Sequence, residues 1–251
     1  MHVPPYYSAL APFRGVFRTG APILTYHHVG PRRRGARLKG LYVSPNLFAR
    51  QVAELKSAGF STASFETLAV GNAQQDSRIF LTVDDGFRDV FENALAALAK
   101  HRFQAILFLV SDLLGKTNEW QQRAGDITEP LMDAAQVKDW VAAGQQIGAH
   151  TKTHPRLTQI PLSEAREEIS ASKKFLEDCF GLAVNHFCYP YGDWNEPIRD
   201  LVSATGYQTA CTTISGVNVP GTSPFELKRF TARYPSRNLK ALWTRLRARF
   251  L

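Results

Sequence analysis

The stretch Ile79–Gly86 reads Ile-Phe-Leu-Thr-Val-Asp-Asp-Gly and joins a buried strand to two adjacent carboxylates. Its apolar and β-branched residues predict a strand that ends at Val83. Asp84 and Asp85 follow, and desolvating neighbouring carboxylates is costly unless a cation or a proton lies between them. Asp and Gly are also ordinary turn residues, so this stretch alone is compatible with a simple turn as well as with a site.

Predicted strands and helices alternate about seven times along the chain. The other predicted strands are 22–28, 60–64, 104–110, 146–149, 186–189, 208–213 and 227–231, and the predicted helices are 44–59, 66–70, 90–101, 133–143, 163–180, 197–205 and 238–250. This alternation is typical of a parallel sheet with crossover helices. Seven or eight such units in 251 residues favour a single-domain α/β barrel over an open sheet. In such barrels the chemistry lies at the C-terminal ends of the strands, where Asp84 and Asp85 fall.

The composition describes a globular protein with a basic balance. Hydrophobic residues make up 44% of the chain, and the formal net charge is +8. The positive charge favours acidic partners such as nucleic acid, anionic lipid or an anionic glycan. Its excess lies at 32–39, at 173–174 and in the tail from 237 to 249, and no helix-turn-helix or zinc-finger pattern is present. We therefore expect no nucleic-acid partner.

Both ends of the chain carry expectations about location. Residues 1–20 are predicted to form an extended arm and have no signal-peptide pattern. The three cysteines match no disulfide or zinc framework, which agrees with a reducing compartment. Residues 237–251 predict a basic amphipathic helix, which either docks on the barrel wall, the favoured alternative, or lies on an anionic membrane. We expect a cytoplasmic protein, with peripheral association at the inner membrane through 238–251 as the second possibility.

A second motif supplies metal ligands. His150 and His154 are four residues apart, so they would lie on one face of a helical turn and could share one metal ion. Two imidazoles and one carboxylate of the Asp84–Asp85 pair would leave open positions for water and substrate. That arrangement is typical of hydrolytic zinc, cobalt or iron sites.

Three motifs in this order resemble the polysaccharide deacetylase family, which has the NodB-homology fold of family 4 carbohydrate esterases. They are Thr82–Gly86, His150–His154 and the Tyr-Pro-Tyr-Gly turn Tyr189–Gly192. The resemblance covers roughly residues 21–232, within a predicted domain of 21–236. The opening strand Thr25–Val29 resembles the subgroup that includes poly-N-acetylglucosamine deacetylases.

The resemblance implies a fold, an activity and a site. The fold would be a deformed (β/α)7 barrel, and the activity would be hydrolysis of N- or O-acetyl groups on sugars. Asp85, His150 and His154 would bind the metal, and Asp84 would be the general base. Tyr191 would supply a backbone N–H to the oxyanion, with Pro190 and Gly192 shaping its turn for the substrate.

Two positions depart from the family pattern. Many members have an Arg two residues before the Pro of the third motif, where it pairs with the base, but Cys188 stands there in this chain. Many members also end in a Leu-x-His segment whose His is the general acid, and residues 227–229 contain no His. We expect His27 to supply the acid. The alternative is that His27 and His28 form a buried polar pair that closes the barrel.

The sequence therefore predicts a metal-dependent carbohydrate deacetylase that acts on an N-acetylated sugar or polysaccharide. Zinc is the expected metal, with cobalt or nickel as alternatives. Trp120 and Trp194 are candidate sugar-stacking residues or structural anchors. The other functions that we consider are a non-catalytic glycan-binding relative and a hydrolase of a formyl or cyclic amide.

Overall fold

The computed structural model describes residues 4–69, 77–123 and 125–234 of the chain. The strands are β1 Ala21–Tyr26, β2 His28–Val29, β3 Tyr42–Val43, β4 Ser61–Thr62, β5 Arg78–Val83, β6 Ile106–Leu109, β7 Gln146–Ala149, β8 His186–Cys188, β9 Thr209–Cys211, β10 Val217–Asn218 and β11 Phe230–Thr231. The α-helices are α1 Pro45–Ser57, α2 Glu66–Ala69, α3 Arg88–His101, α4 Glu119–Arg123, α5 Ala134–Ala142, α6 Leu162–Phe180 and α7 Glu196–Ala204.

The parallel strands close into a ring. Strands β1, β5, β6, β7, β8 and β9 pair side by side in that order. Leu227 then forms a parallel bridge with Cys211 of β9, and β11 pairs in parallel with β1. The segment from Leu227 to Thr231 therefore closes the barrel between β9 and β1. This ring of short strands confirms the expected deformed (β/α)7 barrel.

Capping residues set the helix boundaries close to the predicted ones. The Ser44 hydroxyl accepts a hydrogen bond from the Leu47 N–H at the start of α1. Asp133 and Gln136 form a reciprocal capping box at the start of α5. Gly181 ends α6 with a φ of 67°, in the left-handed conformation that favours glycine.

The first described residues are part of the main core, so the prediction of an extended arm is wrong for them. Residues 4–20 contain two short 3-10 turns, Ala11–Phe13 and Val16–Arg18. Four of their side chains are fully buried, namely Tyr7, Leu10, Phe13 and Phe17. The Phe13 and Phe17 rings contact Phe230 of the closing strand at 5.2 and 5.6 Å. Burial of these aromatic side chains explains why the segment folds onto the barrel.

Two further differences from the prediction concern the loops above the barrel. The segment 115–127, for which no strand or helix is predicted, contains helix α4 with Trp120 in it. Strands β2 and β3 form a separate small parallel sheet.

No helix in the described part of the chain is long and apolar enough to span a bilayer. The predicted helix at 237–251, and with it the membrane association, lies outside the described residues. The cytoplasmic location stays a prediction.

Candidate active site

The two adjacent carboxylates lie at the C-terminal end of β5, in a turn of unusual backbone conformation. The Asp84 N–H donates to the Tyr26 carbonyl at 2.9 Å, which extends the pairing of β1 with β5 by one step. Asp85 then takes a φ of 75° and Gly86 a φ of 78°. A left-handed conformation is costly for a residue with a Cβ and is often found at functional sites. Both carboxylates are buried, with 3% and 4% of their residues' surfaces exposed.

Asp85, His150 and His154 come together in a buried cluster. The Nε2 atoms of both imidazoles lie 3.3 Å from Oδ1 of Asp85. All three donor atoms lie within 4.8 Å of one another. Nδ1 of His150 is 2.6 Å from the Cys188 carbonyl, and a carbonyl only accepts, so Nδ1 carries the proton and Nε2 has its lone pair free in the neutral ring. This donor set fits a divalent metal ion.

The two histidines come together through a different backbone conformation from the predicted helical turn. Residues 150–154 do not form a helical turn. Thr151 and His154 instead adopt left-handed φ angles of 67° and 66°, which bring the second imidazole back beside the first. The Glu168 carboxylate of α6 fixes this turn by accepting from the N–H groups of Lys152 and Thr153 at 2.8 and 2.9 Å.

Aromatic rings flank His154. The indole of Trp120 stacks on its imidazole with centroids 4.3 Å apart, and the Tyr191 ring meets it edge-on at 4.6 Å. Trp120 therefore uses one face on the histidine, which supports an anchoring role, and its sugar-stacking role stays a prediction. Trp194 is half-buried and lies against Tyr189 at 6.0 Å, with its sugar-stacking role equally untested.

The Pro190–Gly192 turn depends on its glycine. Tyr191 has a φ of 60°, and its side chain is 42% exposed. Gly192 also has a positive φ, and a Cβ there would lie 2.1 Å from Oγ1 of Thr213. Only glycine therefore fits both this backbone conformation and the close contact with Thr213, which follows β9.

Arg229 holds Asp84, and the sequence reasoning missed this residue. Its Nη1 and Nη2 atoms donate to Oδ1 and Oδ2 of Asp84 at 2.7 and 2.8 Å. Nη1 also donates to Thr82 Oγ1 at 3.0 Å, and Nε donates to the Thr212 carbonyl at 2.9 Å. A bidentate arginine fixes both the position and the rotation of a carboxylate. Arg229 thus occupies the role that the family pattern assigns to an arginine at position 188.

The small side chain of Cys188 makes room for this arginine. Its Sγ lies 3.2 Å from Nη2 of Arg229 and 3.6 Å from Oδ2 of Asp84. Burial raises the pKa of the Cys188 thiol to about 11, so it is neutral at pH 7. The thiol therefore adds no charge next to the ion pair.

Asp84 is ionised despite its burial. Burial is the largest influence and would raise the pKa of its carboxyl, but the positive charge of Arg229 and the neighbouring His27 together lower that pKa below its ordinary value. Asp84 therefore carries a negative charge at neutral pH.

The sequence did contain a signal for Arg229. Leu227, Arg229 and Thr231 alternate along the predicted final strand and so share one face. An arginine on the same face as a core leucine, inside a barrel strand, indicates a buried ion pair. The sequence prediction considered this segment only as the place of a histidine acid, and so it did not identify Arg229.

His27 and His28 point to different surroundings. Nε2 of His27 lies 3.8 Å from Oδ2 of Asp84, and the side chain is 18% exposed. His28 is buried between the rings of Tyr42 and Phe87, at 4.1 and 3.7 Å, and its Nδ1 lies 3.0 Å from Asp89. His27 is therefore beside the candidate base, whereas His28 supports the loops around it.

Together, a closed parallel barrel and an Asp-His-His cluster at the carboxyl ends of its strands define a barrel protein with a candidate metal-ligand set beside a second carboxylate, which Arg229 holds. The sequence pattern of the polysaccharide deacetylase family matches residues 71–210, and the chain belongs to that family.

Known relatives agree with this assignment. A putative polysaccharide deacetylase, YxkH of Bacillus subtilis, is 25% identical over 78% of this chain and 65% of its own length, so the chain spans less than two thirds of that relative. Among solved structures, the deacetylase PplD of Streptococcus pyogenes superposes with a TM-score of 0.74 at 23% identity, over 90% of this chain and 97% of that one. The putative polysaccharide deacetylase BA0330 of Bacillus anthracis superposes with a TM-score of 0.73 at 26% identity, over 90% and 68%.

Proposed function

We propose that the protein is a metal-dependent hydrolase that removes N-acetyl groups from a glycan. The observation that carries this proposal is a buried three-ligand set whose aspartate, Asp85, is directly preceded by a second carboxylate that Arg229 holds. One carboxylate would then bind the metal, and the other would be left for proton transfer. Membership of the family supports the same reaction.

Asp85, His150 and His154 would hold the metal, with zinc as the first choice and cobalt or nickel as alternatives. When bound, such an ion supplies Lewis acidity, which makes a water molecule more acidic and polarises a carbonyl. The three residues are buried and lie on two turns, 84–86 and 150–154, and hydrogen bonds fix those turns. The site is therefore preorganised for a single ion.

Asp84 would act as the general base. A base must be ionised and positioned before the reaction, and Arg229 provides both by pairing with the two carboxylate oxygens. Oδ2 of Asp84 also faces Nε2 of His27 at 3.8 Å, so the base and the candidate acid are neighbours. In the tetrahedral step the backbone N–H of Tyr191 would donate to the oxyanion.

His27 would donate the proton to the leaving amine. Replacing His27 with Ala is therefore expected to lower kcat by about 10²-fold, since general acid catalysis contributes roughly that much. The measurement is acetate release together with the metal content of the purified variant. Unchanged turnover with metal intact would remove His27 from the mechanism. His28→Ala is the matched control for a neighbouring histidine, and we expect it to reduce stability more than it changes the kinetics of the folded fraction.

Acetate release from N-acetylglucosamine oligomers, with and without a chelator, tests the proposed reaction. We expect acetate release that the chelator abolishes and that added zinc, cobalt or nickel restores. The reason is that the bound metal ion would make the attacking water acidic enough to react. The metal that restores most activity at equal occupancy identifies the preferred ion.

Two outcomes would favour the other functions. Binding of the oligomers without acetate release, in a protein loaded with metal, would indicate a non-catalytic glycan-binding relative. Release of formate or opening of a cyclic amide, with no acetate from any glycan, would indicate a hydrolase of another amide.

A further inference from the structure

We propose that the substrate of this site is an anionic glycan, held by positive charges around the candidate active site. The inference rests on the proposed function and names its substrate class. Two groups of residues carry it. One is Arg156, and the other is the loop of residues 31–39, called here the arginine loop.

Arg156 places a positive charge beside a candidate metal ligand. Its guanidinium lies over the Tyr191 ring, 4.2 Å from the ring centroid. The same ring contacts His154 at 4.6 Å. Both Arg156 and Tyr191 are exposed, and in the described part of the chain no carboxylate forms an ion pair with Arg156. The stacked ring restricts the guanidinium without neutralising it, so its charge is available to a ligand.

The arginine loop adds a concentrated charge at the same end of the barrel. It follows strand β2 and begins two residues after Val29. Within 31–39 there are four arginines and one lysine and no acidic residue, and all five basic side chains are exposed: Arg32, Arg33, Arg34, Arg37 and Lys39.

Hydrogen bonds fix the arginine loop to the segment that carries Trp120. The Asp126 carboxylate accepts from the N–H groups of Arg37 and Leu38 at 2.8 and 3.1 Å. Nε of Arg33 lies 3.4 Å from Oε2 of Glu129. Trp120, on the same segment, stacks on His154, so this segment links the arginine loop to the candidate metal cluster.

Three nearby carboxylates leave a surplus of positive charge. The Asp89 carboxylate lies 3.0 Å from Nδ1 of His28. Asp126 is occupied by backbone N–H groups, and Glu129 pairs with Arg33 and accepts from the Tyr42 hydroxyl. No described residue forms an ion pair with Arg32, Arg34 or Lys39. A polymer with carboxylate or phosphate groups would neutralise this surplus, whereas a neutral glycan would gain nothing from it.

The experiment compares matched N-acetylated pentasaccharides that differ only in charge. The probes are N-acetylchitopentaose, the same oligomer phosphorylated on its primary hydroxyls, and the same oligomer carboxymethylated there. We expect a KM about five- to tenfold lower for at least one anionic probe at low salt, and a smaller difference at high salt because ions screen exposed charges. The phosphorylated and carboxymethylated arms distinguish the two sources of charge.

Variants locate the effect on the protein. Arg156→Gln and the double variant Arg32→Gln/Arg34→Gln are each expected to raise the KM of the preferred anionic probe about three- to tenfold, with kcat and the KM of the neutral probe changed less than twofold. The matched control is Lys100→Gln/Lys138→Gln, which removes the same charge from the exposed surfaces of α3 and α5 and should change neither KM.

The outcomes separate this inference from the proposed function. Equal KM values for all three probes would overturn the inference. So would equal effects of the control variant and of the Arg156 and arginine-loop variants. In both cases acetate release still supports the deacetylase. Should no probe release acetate, binding of the same probes is measured directly. A preference for the anionic probes that disappears in the Arg156 and arginine-loop variants then supports the inference but not the proposed reaction. Tighter binding of a single-stranded DNA oligomer than of the anionic glycans would overturn it in favour of a nucleic-acid surface.

Discussion

Replacing Asp84 with Asn is expected to lower kcat by about 10³-fold, within the range that a general base contributes, while the protein keeps its metal. The amide cannot take a proton at neutral pH, but it has nearly the same shape and can still accept from Arg229. Asp85→Asn is the contrasting variant, and we expect it to lose metal first and activity as a consequence. The measurements are acetate release and metal content, both on the folded fraction.

The contrast between these two variants tests the division of labour in the Asp-Asp pair. If Asp84→Asn loses as much metal as Asp85→Asn, both carboxylates are ligands and the base must be sought elsewhere. If neither variant changes turnover, the pair is only a turn. Asp193→Asn provides a control, since its carboxylate is bonded to Thr158 on the surface and it follows the third motif.

Replacing Arg229 with Gln is expected to lower kcat/KM by about 10²-fold and to destabilise the fold by about 3–5 kcal/mol, as breaking a buried ion pair does. Arg229 is 3% exposed, and the variant leaves Asp84 charged and partly unpaired in the interior. Unfolding in denaturant measures the stability, and acetate release at saturating metal measures the activity. Arg199→Gln is the matched control, because Arg199 pairs with the carboxylates of Asp200 and Glu226 at the surface, where ion pairs contribute little to stability.

The pH dependence of the Arg229 variant has a defined sign. In the wild type, Arg229 helps to keep the pKa of Asp84 below its ordinary value, so the pair stabilises the fold above the unfolded-state pKa of the Asp. That stabilisation is lost as the pH falls through the lower folded-state pKa. Removing Arg229 raises the folded-state pKa, so activity should begin to fall at a higher pH on the acidic side. An unchanged acidic limb would show that Arg229 does not set the charge of the base.

A second substitution separates a positioning role from a purely structural one. In the Arg229→Gln background, Cys188→Arg would place a guanidinium where the family pattern has one. We expect it to restore part of the lost kcat/KM, because a positive charge returns to Asp84 from β8, whose Cys188 Sγ lies 3.6 Å from Oδ2 of Asp84. If activity is not restored although the double variant regains stability, Asp84 requires the particular direction of approach that Arg229 provides.

Much of the site could be predicted because its residues stand in short motifs. Asp84 and Asp85 are adjacent, and His150 and His154 are separated by three residues, so local sequence alone brings the candidate donors to two strand ends. The alternation of strands and helices then implied that those ends meet at one rim. The geometry within the second motif was still wrong, since two left-handed residues replaced the helical turn.

The sequence by itself determined the chemistry of the candidate ligands, the barrel class and the family, because residue type, periodicity and motif spacing are local properties. Only the tertiary structure decided what holds Asp84. Arg229 is 145 residues away from it in the chain, and the two meet because the closing strand returns to lie beside β1. The same closing strand packs against the first turns of the chain, and the segment after β6 places Trp120 on His154. Such contacts depend on which strands become neighbours around the ring, and no local pattern specifies the partner of a buried charge.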